Sequence, residues 1–213
     1  MSDPQMHNDQ APRRRQRRKE ARPSEIIQAA RELFIERGFG ATRIEDVARR
    51  AGVAKGTLFV YFPTKQDLFR AVAQSVLAVD LERLQHVAAN LDPPIADLVP
   101  VLLAQAAYVG ESGVPAIIRL LISEARAFPD LAQVWHDEVL SKVMGLLTSV
   151  IARAQARGEL RPGDARLYAF SIAGPMLAAM LYREVFGAGD VPLPDLHALA
   201  VQHARTVVHG LLA

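Results

Sequence analysis

The chain has 213 residues, half of them hydrophobic, 23% charged and 6% aromatic, and it has no cysteine. That length suits roughly one or two domains with self-supporting cores, and the lack of thiols excludes a disulfide framework, a thiolate zinc site and a cysteine nucleophile. Charge is uneven: residues 1–70 hold 15 Lys and Arg against 9 Asp and Glu, while residues 71–213 hold 10 against 14, which points to a polyanion-binding N-terminal end on an acidic body.

Met1 to Gln10 is polar and has no apolar core, so it does not read as a secretory signal. Residues 1–23 are expected to form a disordered basic arm, because Arg13, Arg14, Arg15, Arg17, Arg18, Lys19 and Arg22 leave no apolar face to bury. The arm reads either as a solvated tail or as a segment that follows a phosphate backbone. A first helix is expected from Ser24, a suitable N-cap, to Arg37, with Ile26, Ile27, Ala30, Leu33 and Phe34 at helical spacing and Gly38 as its stop. Thr42 and Glu45 have the spacing of a capping box and open a second helix, whose inner face is Ile44, Val47, Ala48 and Ala51 and which ends at Gly52. A third short helix runs from Lys55 to Tyr61, with Leu58 and Phe62 inward, and Pro63 breaks it. Thr64, with Asp67 three residues on, caps a fourth helix that is expected to reach Asn90 on Leu68, Phe69, Val72, Val76, Val79, Leu84 and Val87. The second and third helices with Gly52 between them make a helix-turn-helix. Both are too short to stand alone and must pack on the first.

Beyond Asp92-Pro93-Pro94 the chain reads as helices near 95–110, 115–127, 131–157, 164–187 and 195–212. Gly and Pro mark the breaks, and no alternating strand pattern competes. The longest uncharged stretch, Leu167 to Tyr182, is shorter than the ~20 residues of a membrane span, and it reads as a buried or interface helix. The fold class is therefore all-α: a small N-terminal helix-turn-helix domain over 24–70 and a larger helical domain over 71–213. The expected setting is the cytoplasm, with no membrane partner.

The stretch GFGATRIEDVARRAGVAKGTLFVYFPTKQDLFRAV resembles the DNA-binding domain of TetR-type repressors. Gly38, Thr42, Val47-Ala48, Ala51-Gly52-Val53, Gly56-Thr57-Leu58, Phe62, Lys65 and Leu68 carry the resemblance without insertions. The segment SEARAFPDL, Ser123 to Leu131, is similar to an AefR-like branch of that family.

A helix in the major groove reads base edges with its N-terminal residues, here Lys55, Gly56 and Thr57. Lys55 suits a guanine edge or a phosphate. Gly56 lets the backbone approach, and Thr57 suits a base or a thymine methyl. Phe59 is expected to face outward onto a methyl or sugar. Tyr61 and Lys65 suit phosphate oxygens, and backbone amides at the starts of the second and fourth helices add to this, with Thr42 and Arg43 at the first of these starts. Two positions depart from the family pattern: Ala54 stands where a capping Ser is usual, and Phe59 where Tyr is common.

The resemblance implies a homodimer that reads two half-sites of a double-stranded DNA operator through a four-helix interface. Phe170, Ala173, Leu177 and Leu181 on one helix, and Leu199, His203, Thr206, Val207 and Gly210 on the next, form suitable stripes. The same stripes also read as the protomer's own core. The resemblance further implies an effector pocket among the middle helices. Tyr108, Arg119, Phe128, Trp135, Met176 and Met180 are its candidate lining, for an unknown small hydrophobic or aromatic effector. Each is equally a core candidate.

Catalytic sets are missing from the sequence. His197, His203 and His209 lie six apart rather than at the i, i+4 spacing of a helical zinc site, and there is no P-loop and no G-x-S-x-G. No cofactor, metal or enzyme activity is expected. A helical adaptor that bound only protein would leave the basic arm and Lys55-Gly56-Thr57 without a role. The expected function is a ligand-responsive, sequence-specific transcriptional regulator, a repressor that a small molecule releases from its operator.

Overall fold

The computed structural model describes residues 11–75 and 93–212 of the chain, with the side chains of 11–21 and 211 outside that description. Its helices are α1 (Ala11–Arg37), α2 (Ile44–Arg50), α3 (Lys55–Tyr61), α4 (65–75), α5 (Ile95–Gly110), α6 (Val114–Glu124), α7 (Pro129–Trp135), α8 (Ser141–Ala156), α9 (Ala165–Phe186) and α10 (Leu196–Leu211). They form two compact units, residues 1–72 and 73–213. The expected run of the fourth helix to Asn90, with Val76, Val79, Leu84 and Val87, lies outside the described residues.

In the first unit, α1 begins at Ala11 rather than Ser24, so the expectation of disorder is corrected for residues 11–23. The residues of this stretch are good helix formers, and Pro12 sits in the first turn, where its missing N–H costs nothing. Lack of an apolar face excludes packing, not helicity. Pro23 lies inside the helix and has no N–H for the carbonyl four residues back. Beyond it, Ile26, Ala29, Ala30, Leu33 and Phe34 turn into the core, while Ile27 is only half-buried. Gly38 ends α1 at φ 85°, a left-handed conformation that favours glycine, and Gly52 does the same at φ 65° between α2 and α3. Phe34, Phe39 and Phe69 close into a triangle with centroids 5.3, 5.9 and 6.0 Å apart and mostly tilted or edge-on rings. Val47, Leu58, Phe62 and Leu68 complete the core.

The expected capping box of α2 does not form. Thr42 is 2% exposed, and its hydroxyl turns inward to donate to the carbonyls of Gly38 (2.7 Å) and Leu33 (3.1 Å). The N-cap of α2 is Arg43, without a side-chain cap bond. The box of α4 does form. The Asp67 amide donates to Thr64 Oγ1 at 3.0 Å, and the Thr64 amide donates to Asp67 Oδ2 at 3.1 Å. On the surface, Arg50 holds Glu36 through two guanidinium nitrogens at 2.5 and 3.0 Å, and Arg37 reaches Asp46 at 3.3 Å, so α1 and α2 are clasped. The Arg50 hydrogen bond holds the Glu36 carboxyl below its ordinary pKa and raises that of Arg50.

The second unit is a helical bundle in which α5 packs along α10 and α9, α8 and α6 pack on α9. Its core takes Leu98, Leu102 and Leu103 from α5, Val150 and Ile151 from α8, Ile172 and Met176 from α9, and Leu196, Ala200 and Ala204 from α10. α6 stops at Glu124 rather than 127, ahead of Phe128, which precedes Pro129 and has left the helical region at φ −133° and ψ 72°. The expected helix over 131–157 runs from Pro129 to Ala156 with a π-helical turn at His136–Leu140. That wider turn brings Val139 into the buried row after Leu131 and Val134 and leaves Glu138 paired with Lys142 at 3.1 Å. Asp164 caps α9 by accepting from the Arg166 amide, and Asp195 caps α10 by accepting from the amides of His197 and Ala198. The amides hold both carboxyls below their ordinary pKa. The chain just before α5 is held from another loop, since the Ile95 amide donates to Glu159 Oε2 at 2.8 Å.

α9 is long and apolar enough to cross a membrane by composition alone. Its apolarity has a two-sided cause. Ala169, Ile172, Met176, Ala179 and Met180 fill the core, while Leu167, Phe170, Leu177, Val185 and Phe186 stand exposed.

Candidate nucleic-acid interface

α3 has seven residues and only Leu58 of them is fully buried. Leu58 and Phe62 pin it to the core, and this anchoring decides which side faces out. Lys55, Gly56, Phe59 and Val60 are exposed, Val60 at 80%, and Thr57 and Tyr61 are half-buried. A Cβ on Gly56 would meet nothing within 4 Å, and its backbone is not left-handed, so nothing inside the protein requires glycine there. The N-cap is Ala54, which makes no side-chain bond, as its residue type dictates.

Lys55 Nζ lies 2.5 Å from Glu45 Oε1 and 5.8 Å from the centre of the Phe59 ring. The hydrogen bond from Lys55 holds the Glu45 carboxyl below its ordinary pKa, with Arg43 adding to the effect. Arg43 itself is exposed at the start of α2. The outward face of the helix-turn-helix therefore combines cations with exposed apolar side chains.

Two expected contact residues are corrected. The Thr42 amide donates to the Phe39 carbonyl at 3.3 Å, and its hydroxyl is buried and committed to Leu33 and Gly38, so neither is turned to a phosphate. The Lys65 ammonium donates to the carbonyls of Thr42 (2.8 Å) and Gly40 (3.2 Å) and sits 4.4 Å over the Phe39 ring. It latches the α1–α2 turn instead of pointing into solution. Two residues of this face escaped the reading of the sequence. Val60 follows from the helical wheel, because it lies opposite the inward Leu58. Glu45 does not follow, since only the fold brings α2 onto the start of α3.

The expected stripes of the second unit divide. Phe170 is 61% exposed and Leu177 41%, with Ala173 and Leu181 half-buried between them. On α10, Leu199 and His203 are half-buried, and Thr206 and Gly210 are exposed. His203 Nε2 lies 3.0 Å from the Ile172 carbonyl and ties α10 to α9. Val207 is the correction: it is buried in the protomer's own core.

The expected lining residues do not converge. Tyr108 stands 63% exposed, and Arg119 is at the surface, paired with Glu184 at 2.8 Å. Met176 and Met180 belong to the core cluster, and Phe128 and Trp135 are half-buried at the two ends of α7. A groove of about 310 Å³ lies between α5 and α10, floored by Ala96, Pro100, Ala104, Ala200 and Ala204, and none of the six lines it. Among the described residues no group of three His, Cys, Asp or Glu is placed to hold a metal ion.

Residues 26–72 match the bacterial regulatory proteins of the tetR family, and residues 94–200 match the tetracyclin repressor-like C-terminal domain. The HTH-type transcriptional regulator RutR of Escherichia coli O157:H7 is 28% identical over 173 residues, spanning 75% of this chain and 74% of RutR. The fold is shared with the transcriptional regulator FadR from Bacillus subtilis in complex with stearoyl-CoA, at TM-score 0.71 and 20% identity over 88% of this chain and 98% of FadR. It is shared also with SmeT in its triclosan complex, at TM-score 0.76 and 21% identity over 91% and 92% of the two chains. A helix-turn-helix unit joined to a helical bundle, with both parts matched along the sequence, makes this chain a member of the TetR family of DNA-binding transcriptional regulators.

Proposed function

We propose that the protein is a repressor that holds a double-stranded DNA operator as a homodimer and is released by a small hydrophobic or aromatic effector. The observation that carries this reading is the outward face of α3. Gly56 is open to close approach, and Phe59 and Val60 are exposed beside Lys55. Solvent is a poor neighbour for Val60, whereas a thymine methyl is a good one. In this reading Lys55, Thr57, Phe59 and Val60 face base edges, and Arg43 and Tyr61 face phosphates, which set the register.

Dimerisation is assigned to α9 and α10 through Phe170, Ala173, Leu177, Leu181, Leu199, His203, Thr206 and Gly210. These positions recur at three- and four-residue steps, the spacing of a helix–helix seam. The effector is assigned to the helical unit, 94–200, without a set of lining residues. An apolar effector is supported by the stearoyl-CoA and triclosan complexes of the two proteins that share the fold. Release requires only that the effector bind two conformers unequally. The protein would work in the cytoplasm as a binding protein, not as an enzyme.

Fluorescence anisotropy with the DNA upstream of its own and neighbouring genes tests this reading. The expected result is tight binding of two protomers to one fragment, weakening steeply with salt. Equal affinity for a scrambled duplex would overturn it.

A further inference from the structure

Glu45 stands where a polyanion-binding surface should carry no acid. Its carboxylate lies 2.5 Å from Lys55 Nζ, across the turn that separates α2 from α3, and both side chains are about half exposed at 54%. Exposed pairs of this kind contribute little to stability, and the place of Glu45 in the first turn of α2 favours an acid only weakly, so stability is a weak reason for the pair. Lys55 is the first residue of α3 and reaches over Phe59, which places the pair on the face already described. A G·C pair presents two acceptors, guanine N7 and O6, beside one donor, the cytosine amino group. An ammonium and a carboxylate held side by side are the complement of that edge.

We infer that Glu45 is a specificity-determining residue: with Lys55 it forms a dyad that reads one G·C pair in each half-site. The ammonium donates to guanine O6 or N7, and the carboxylate accepts from cytosine N4. The carboxylate also repels the backbone and so keeps Lys55 from settling on a phosphate. This inference rests on the DNA-binding reading above.

The test is selection from a randomised duplex library with the full-length protein, its Glu45→Ala variant and its Glu45→Gln variant. Anisotropy on the selected duplex and its single-pair substitutions follows. The wild type should demand G·C at one position of each half-site. Glu45→Ala should lose at least about fivefold of that discrimination with the other positions unchanged. Its salt dependence should steepen by about 0.9 per half-site as Lys55 turns to a phosphate. Glu45→Gln, an isosteric variant with the same fold, should shift the position toward A·T, since Gln pairs with adenine. If the wild type enriches a sequence and both variants keep its G·C preference within twofold, the dyad is overturned while the operator reading stands. If the wild type enriches nothing, both fall.

Discussion

The helix-turn-helix of the first unit and the bundle of the second are built from helices of very different length. In the first, side chains pin the turns: Thr42 on the Leu33 and Gly38 carbonyls, Lys65 on those of Gly40 and Thr42, Thr64 on the Asp67 amide. In the second, Asp164, Asp195 and Glu159 accept backbone amides at helix starts, and Gln155 and Arg183 bond the loop carbonyls of Arg161, Gly163 and Pro194. What differs is how far each helix depends on such bonds, and length sets that. Helices of seven residues such as α2 and α3 cannot support themselves, so each bend has to be fixed by a specific bond. Helices of 16 to 22 residues such as α5, α9 and α10 need an apolar stripe and a defined start.

The largest effect should come from removing a core anchor. Phe34→Ala opens the aromatic triangle and should cost about 3–5 kcal/mol. It should unfold the first unit and abolish DNA binding, while Met176→Ala, at about 2–5 kcal/mol, should fall on the helical bundle. Circular dichroism melts and anisotropy of both variants check this. The comparison breaks if either variant shifts both units equally.

Next in size is the buried hydroxyl. Thr42→Val keeps the volume but strands the two carbonyls it serves, and should cost about 1–3 kcal/mol in the first unit. Ile151→Val, in the middle of α8, removes one methyl and strands no polar group, and should cost about 0.5–1.5 kcal/mol in the second unit. Urea midpoints would sharpen the contrast, and a neutral Thr42→Val would erase it. Thr64→Ala should be smaller still, about 1 kcal/mol, because it removes one cap and leaves the core intact.

The smallest effect is in the acid limb of the second unit. The Asp164 and Asp195 carboxyls have folded pKa values below their unfolded ones. Their contribution is therefore present above the unfolded carboxyl range, about 3.9, and is lost as pH falls through the folded values. Asn caps helices as well as Asp does, so Asp195→Asn should leave stability at pH 7 nearly unchanged and flatten the loss in acid. Urea midpoints from pH 7 to pH 3 check this, and an unchanged acid limb would remove Asp195 from the account.

Where a single residue type forces a conformation, the fold was readable from the chain. Gly38 and Gly52 mark the left-handed turns and Pro63 the end of α3, so the helix-turn-helix stands where glycine and proline put it. The resemblance rests on Gly38 and Gly52 together with core and surface positions such as Val47, Leu58, Phe62 and Lys65, all legible in the chain. The candidate site was readable only in part. Helical period alone turns Leu58 inward and Val60 outward and puts Phe59 on the flank; it does not account for the exposure of Lys55, which stands three residues before Leu58 on the same side. It cannot say that Glu45 meets Lys55, because the two belong to different helices joined by a turn.

The two Thr-x-x-acid segments mark the boundary between what the chain determines and what the fold decides. Thr42-x-x-Glu45 and Thr64-x-x-Asp67 look alike in sequence, and only the second is a capping box. Both helices start where local preferences put them, after a turn and ahead of an apolar row. Packing chose the partner. α1 brings the Leu33 carbonyl over Thr42, and a buried hydroxyl must satisfy its hydrogen bond with what surrounds it. Val207 and Phe170 divide in the same way. Both are apolar residues in a helical stripe, and the rotation of each helix against its neighbours puts one in the core and the other at the surface. Sequence sets which side chains can be buried; tertiary structure decides which of them are, because burial depends on the neighbour that covers the site.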